Sequence, residues 1–490
     1  MSQLAPTADT SAPPRGTRPG AALAVTAAAT TVALMNYTAP MLTLPDMAAA
    51  FSTPASAQAW LLNGTPLGLA VLLLVAGSLA DAHGRRRVFL LGTLALGLTT
   101  ALGAFAGSTA TFTAARIAQG AASAAVLAGS LGLLAHAYPA GRDRIRATGI
   151  WGASVSAGIA LGPLLAGALS LVDWRLAYEV LGAAAVVIAA VGARLLRADE
   201  AAPDGSGSLP EKLDRSHSLP GNAAPERSGS GPGSRRPRPD IAGATALGLA
   251  LAALLTALTL GRDGWLRPQV GLLLLASLAL TALFVVVEHR SRTPMVDLAL
   301  LRRPAFLAST LGALFTGLAV IGLFSVVPAL LQGGAGMSPL GAAWLFVLWS
   351  GTAFAVALQT RRLAGRLSAP YQLALGFALS AAGVLALLGA LDGPAGSWPR
   401  LLPGLLVAGA GSGLLNAALP RLAVDSVPPE RAAMGSGANN TARYIGSSAG
   451  VALMLALATA GPDTAVLASA ALALTGAGIT LVLGRRRPRR

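Results

Sequence analysis

Apolar runs of roughly twenty residues recur along almost the whole chain, separated by short segments rich in arginine. A helix needs about 20 apolar residues to cross about 30 Å of hydrocarbon. Fourteen segments qualify: 21–44, 60–80, 88–105, 112–134, 148–172, 177–195, 241–260, 270–287, 305–331, 341–358, 373–391, 401–423, 432–460 and 466–483. Helices buried in a large soluble core are usually shorter and amphipathic. Only 11% of the residues are charged, too few to coat such a core in water. The expectation is an all-α integral membrane protein.

Arginine placement orients the spans. With the N-terminus inside, thirty of the 36 Lys and Arg residues fall in inside segments. Four fall outside (Arg175, Arg262, Arg267 and Arg400), and Arg116 and Arg443 lie within spans. Removing one helix would exchange inside and outside for every later loop, so the positive-inside rule favours fourteen spans with both termini cytoplasmic. The net charge of +16 is thereby a coat of loop arginines. A nucleic-acid binder needs its basic residues on one solvated face instead. The chain has no cysteine, which excludes disulfides, thiolate metal ligands and a cysteine nucleophile. The first apolar run is too long for a signal-peptide core and reads as an anchoring span. Residues 196–240, with SGS, GSGPGS and RRPRP, form the long polar stretch; it cannot bury enough apolar surface to order itself and reads as a disordered cytoplasmic linker. The basic tail 485–490 suits anionic lipid headgroups.

Three constellations carry chemistry. In the first, Gly77-Ser-Leu-Ala-Asp81-Ala-His-Gly84-Arg85-Arg86-Arg87, Asp81 sits at a helix C-terminus, where the dipole disfavours an anion. It wants a cation, and Arg85 and Arg86 offer bidentate donors. Gly77 and Gly84 would permit close approach, so the cluster reads as a conformational latch. In the second, Pro163 frees the carbonyl of Ile159, while Gly158, Gly162 and Gly167 leave a smooth face for helix packing.

The third is the pair of intramembrane arginines. Arg443 lies twelve residues past Arg431, about 18 Å along a helix. A charge there costs about 2.5–3.5 kcal/mol on insertion scales and marks a functional site by default. Asn439 and Asn440 precede it; Asn439, one turn back, is expected to accept part of its hydrogen bonding. Arg116 lies about one turn inside the outer boundary, within snorkelling reach of it. Of the twenty carboxylates, only Asp46 and Glu179 fall near spans without closing a loop, and both lie toward the outer side. Each is a candidate proton carrier. All four histidines lie toward the cytoplasmic side, which rules out a mid-membrane histidine relay.

Together these segments resemble the major facilitator superfamily, specifically its fourteen-span drug:proton antiporters. The Gly77–Arg87 loop, Arg116-Ile-Ala-Gln119-Gly120, the glycine spacing around Gly162-Pro163, and Gly435-Ser-Gly-Ala-Asn439-Asn440-Thr-Ala-Arg443-Tyr-Ile-Gly446 carry the resemblance, which runs from Ala21 to Leu483. It implies two six-helix bundles, 21–195 and 305–484, with 241–287 as an inserted helix pair. It places Arg116 facing a central cavity, lined in addition by Asn36, Tyr37, Trp60, Asn63, Gln119, Asn416, Asn440 and Arg443. The family pattern has an aspartate where this chain has Asn36, which cannot carry a proton near neutral pH. The implied activity is export of an amphipathic small molecule from a bacterial cell across its inner membrane, driven by protons, by a monomer without cofactors. The alternative is a metabolite exporter or uniporter without proton coupling. No nucleophile–base pair, metal cluster or phosphate loop stands out in the sequence, so an enzyme or sensor is the weaker expectation.

Overall fold

The computed structural model describes residues 19–138, 142–196, 241–261, 264–291, 300, 302–363, 367–428 and 432–485. The expected linker beyond Leu196 and the basic tail beyond Arg485 lie outside the described residues, as does the side chain of Asp81. Among the described residues the regular structure is helical throughout.

Each of the fourteen apolar segments carries helix. The first holds α1 (Pro19–Thr38) and α2 (Pro40–Ala50). Next come α3 (Gln58–His83), α4 (Arg85–Ala104), α5 (Thr109–Ala137), α6 (Arg142–Leu169) and α7 (Arg175–Leu195). They are followed by α8 (Ile241–Gly261) and α9 (Pro268–Arg290). The ninth segment is broken into α10 (Pro304–Phe315), a π-helical turn (Thr316–Ile321), α11 (Gly322–Phe324) and α12 (Val327–Gly333). The chain closes with α13 (Pro339–Leu363), α14 (Ala369–Leu385), α15 (Leu401–Asp425), α16 (Ala432–Ala458) and α17 (Pro462–Arg485). Among the described residues eleven helical stretches are long and apolar enough to cross a membrane, and Thr245–Leu258 and Ala369–Leu385 are shorter apolar helices. The eleventh segment departs from expectation: α14 stops at Leu385, and the chain turns through Gly389 at φ +65°, whose N–H donates to Asp463 Oδ1 at 2.9 Å.

Packing partners are largely local. Helix α1 packs on α5, α6 and α7, α3 on α5, and α4 on α5 and α7. Likewise α10 packs on α16 and α17, α14 on α15 and α17, and α13 on α15. Helices α8 and α9 pair, and α8 also touches α3 and α16. Most of α9 is exposed, with Val270, Ser277 and Glu288 buried, as a helix facing lipid requires. The two sets meet where α3 lies on α16, α6 on α13 and α2 on α12.

Two local devices set this geometry. Gly84, at φ +95°, makes the sharp turn from α3 into α4, a conformation L side chains avoid. At the turn, Arg85 Nη1 donates to the carbonyl of Gly132, and Arg86 donates to those of Ala193 and Leu196. The ends of α3, α5 and α7 therefore share one face of the molecule, the arginine face. On the opposite face Phe51, Phe112, Trp174 and Tyr178 form an aromatic cluster, edge-on except for the tilted Phe51–Phe112 pair. The second device is the contact of the π turn with α16. A Cβ at Gly317 would collide with the backbone of Arg443 and Ser447, one at Gly446 with Leu314, and one at Gly450 with Leu318. π turns loosen backbone pairing; here Ser469 in α17 donates to the carbonyl of Ala319 at 3.0 Å.

Candidate functional site

Arg116 is completely buried on α5, so it does not snorkel. Its nearest acceptors are prepared by proline. Pro40 has no N–H to give to the carbonyl four residues back, which belongs to Asn36. Arg116 Nη1 takes that carbonyl at 2.8 Å and also the Asn36 side-chain oxygen at 2.7 Å. Gln119, one turn on, accepts from the same nitrogen at 2.7 Å, and the carbonyl of Tyr37 lies 3.4 Å from Nη2. Asn36 is oriented by donating to Thr100 at 2.6 Å, and Gln119 by donating to the carbonyl of Thr99. A buried guanidinium is thus held by neutral oxygens, and its Nε has no acceptor. The ionisable groups facing it are the phenols of Tyr37 and Tyr178.

Arg443 on α16 is half-exposed and held more loosely. Its Nη2 donates to Asn440 at 3.1 Å and its Nη1 reaches Asn416, itself exposed, at 3.5 Å. The guanidinium lies 5.7 Å from the ring centre of Tyr444. Asn439 does not serve it, contrary to the expectation. The side chain of Asn439 turns the other way and donates to the carbonyl and hydroxyl of Ser309 on α10. Residues three and four back flank the Arg443 face on opposite sides and point about 100° apart, so Asn440 reaches the guanidinium while Asn439 is taken by α10.

Between the arginines runs a seam joining α1 and α3 to α16. The Tyr37 hydroxyl meets that of Ser447 at 3.0 Å, and its ring meets Tyr444 edge-on at 5.9 Å. Asn63 donates to the carbonyl of Ser448 at 2.9 Å, and Gln332 on α12 donates to that of Leu42 at 3.0 Å. A narrow cleft lies here, lined by Tyr37, Met41, Leu62, Pro66, Ser325, Ser447 and Val451. Toward the opposite face, α6 and α13 also close together, with Gly167 against Pro339 and Ala343. The seam is therefore sealed toward the aromatic, opposite face. Sequence reasoning missed Ser447, Ser448, Tyr444 and Thr100. Ser447 and Ser448 had a signal, a polar pair one turn beyond Arg443, and Tyr444 adjoins that arginine; Thr100 had none. Interhelical hydrogen bonds of this kind contribute about 0.6–2 kcal/mol each. Tyr37→Phe combined with Asn63→Ala should open the seal, raising maleimide labelling of a cysteine placed at Ser447 from the opposite face about ten-fold. The native chain has no cysteine, so the readout is unambiguous.

The other expected groups divide. Gly158 and Gly162 fit against α1, at Thr31 and Thr38, and Gly167 fits against α13, so α6 touches both sets of helices. Gly77 departs from its expectation of close approach: a Cβ there would meet nothing within 4 Å. Arg85 and Arg86 bind carbonyls of α5 and α7, within one set of helices. Glu179 is half-exposed, next to the buried Tyr178 but not among the groups that bind Arg116. Asp46 lies past the end of the first apolar run. One of its oxygens is buried without a hydrogen-bond partner. Burial pushes its carboxyl above the usual range, opposed by the Ser170 hydroxyl and helped by the charge of Asp173. Neither acid joins the arginine cluster. Trp60 packs against the core.

This helical architecture, with buried polar side chains along an internal seam, is that of a polytopic membrane protein. The chain belongs to the Major Facilitator Superfamily, whose family model matches residues 26–451. It is 30% identical to the multidrug resistance protein Stp of Mycobacterium tuberculosis over 418 residues, covering 84% of this chain and 70% of that one. It is also 30% identical to a probable actinorhodin transporter of Streptomyces coelicolor (90% and 73% covered) and to the puromycin resistance protein pur8 of Streptomyces alboniger (91% and 83%). Its fold matches the crystal structure of a bacterial homologue of the human lysosomal transporter Spinster, captured inward-facing and unoccupied. The TM-score is 0.64 at 15% identity, with 95% of this chain and 97% of that one covered.

Proposed function

We propose that the chain exports amphipathic small molecules across the bacterial cytoplasmic membrane by alternating access, with inward proton movement driving outward substrate movement. In this reading fourteen spans cross the bilayer with both termini cytoplasmic, and the protein works as a monomer. Segments 21–195 and 305–484 form six-helix bundles, and 241–287 is the inserted pair. The arginine face is then cytoplasmic, and the seal at Tyr37, Asn63 and Gln332 lies on the outer side. The Gly77–Arg87 loop acts as a latch, and α6, with Pro163 in its interior, is the helix that rocks against both bundles.

The observation that carries the reading is the half-exposed Arg443, set mid-helix at the seam between the bundles. Relatives whose names denote multidrug and antibiotic resistance support the direction of transport. Glu179 and Asp46 are the proton candidates, with Arg116 as the charge that responds to them. Export without proton coupling is the second reading, favoured by one observation: Arg116 meets only neutral acceptors. Expression in a pump-deleted bacterium should raise resistance to part of an antibiotic panel at least four-fold, and Arg443→Ala should remove that gain at equal expression. Unchanged resistance in Arg443→Ala sinks the role given to this residue.

A further inference from the structure

We infer that the seam selects amphiphiles carrying an anionic group, and that Arg443 is the residue that binds the anion. This rests on the export reading and adds the charge of the substrate to it.

Arg443 keeps donors that no acceptor among the described residues uses. A guanidinium has five N–H groups. Arg443 uses one on Asn440 and one, at the limit of hydrogen bonding, on Asn416. Its Nε is buried without an acceptor. Three donors of the fork therefore lack partners among the described residues, and the side chain stays half-exposed. A planar fork with free donors matches a carboxylate or sulfonate in two-point geometry.

The field around it has one sign. Arg116 reaches the Tyr37 carbonyl and Arg443 lies near the Tyr444 ring, which meets the Tyr37 ring edge-on, so both cations border one region. Among the described residues neither is paired with a carboxylate. The ion pairs Arg175–Asp173 and Arg421–Asp425 are elsewhere. An ammonium entering this seam would meet repulsion from both arginines and no counter-charge, whereas an anion would gain from both. Excluding the wrong charge is as much a part of specificity as attracting the right one. The side chains nearest the charge suit an apolar body: the buried Tyr37 and Tyr444 rings, with Met41, Leu62 and Val451 along the adjoining narrow cleft, which has to widen as the seam opens to admit a ligand. Arg116 is fully enclosed by its own acceptors, which leaves Arg443 as the accessible one.

Three fluorescent probes with one aromatic body test this: 9-anthracenecarboxylate, its methyl ester, and 9-(aminomethyl)anthracene as the ammonium, titrated at neutral pH onto the purified full-length protein. The carboxylate should bind at least ten-fold more tightly than the ammonium. Arg443→Gln should weaken carboxylate binding at least ten-fold, leave the ester within two-fold and erase the preference, while Arg443→Lys keeps part of it. Equal or tighter binding of the ammonium by the native protein overturns the inference. So does a failure of the carboxylate to bind, or an Arg443→Gln variant that weakens all three probes alike. The same probes in proteoliposomes separate the inference from the export reading. Pumping of the ester with no charge preference keeps export and removes the anion site. Carboxylate binding with no probe pumped keeps the anion site and removes export.

Discussion

Asn36→Asp should raise the melting temperature of the purified protein by about 4 °C. The buried guanidinium of Arg116 currently rests on neutral oxygens, with the Asn36 side chain at 2.7 Å. A carboxylate in that place supplies a counter-charge in a site already shielded from water, where an uncompensated charge costs several kcal/mol. Part of the gain is lost again. Asn36 now donates to Thr100, whose hydroxyl already donates to the carbonyl of Leu96 at 2.6 Å. With an acid at position 36 that hydroxyl must turn to serve the carboxylate and abandon Leu96. A net gain of about 2 kcal/mol, at about 2 °C per kcal/mol for a large chain, gives the expected shift. In an Arg116→Met background the same substitution should instead destabilise, by about 3 kcal/mol or more, because it buries an unpaired acid. The double-mutant cycle reads the coupling directly. A melting temperature that falls in both backgrounds would mean that the Asn36 site does not hold Arg116 in the way described.

Gly446→Val should yield no monodisperse folded protein, and Gly317→Val should behave almost as badly. At both positions the added carbon would meet backbone, not the flexible end of a side chain: Leu314 in one case, Arg443 and Ser447 in the other. Ordinary overpacking costs about 1–3 kcal/mol because side chains give way. Here α16 must separate from the π turn, so a loss above about 4 kcal/mol is expected. The contact also matters for the site, since it sets the carbonyl of Arg443 against Gly317 and so fixes where that guanidinium stands. Gly271→Val on the peripheral helix α9, where a Cβ would meet nothing within 4 Å, is the control and should leave the yield unchanged. Size-exclusion profiles of the three variants, expressed alike, check the prediction.

The helices were legible because a bilayer asks for long apolar runs and little else, and each of those segments carries helix. What hydropathy does not carry is where a run bends. The π turn at Thr316–Ile321 and the early end of α14 come from tertiary contacts and a glycine turn. The site was legible in its charged members and illegible in their partners. Arg116 and Arg443 stand out as charges in apolar sequence, whereas the carbonyl of Asn36 that Pro40 leaves free was not read from it. Thr100 joins the cluster only because α4 and α1 fold against the same helix, which no local pattern encodes. Asn440 takes the role expected of Asn439, and Asn439 binds α10 instead, because a single residue turns a helical side chain by about 100°. Gly77, read as a close-packing residue, faces open space in this conformation.

The central claim is that a proton gradient drives this chain to move its substrate outward. Its most direct test is uptake of a fluorescent amphiphile into proteoliposomes holding the purified protein with the arginine face outward, under an imposed pH gradient, acidic inside. Accumulation should follow the gradient and collapse when a protonophore dissipates it, and Glu179→Gln or Asp46→Asn should reduce the gradient-driven part at least ten-fold while leaving downhill exchange. Equal uptake with and without the gradient, in the native protein and in both variants, would contradict proton coupling.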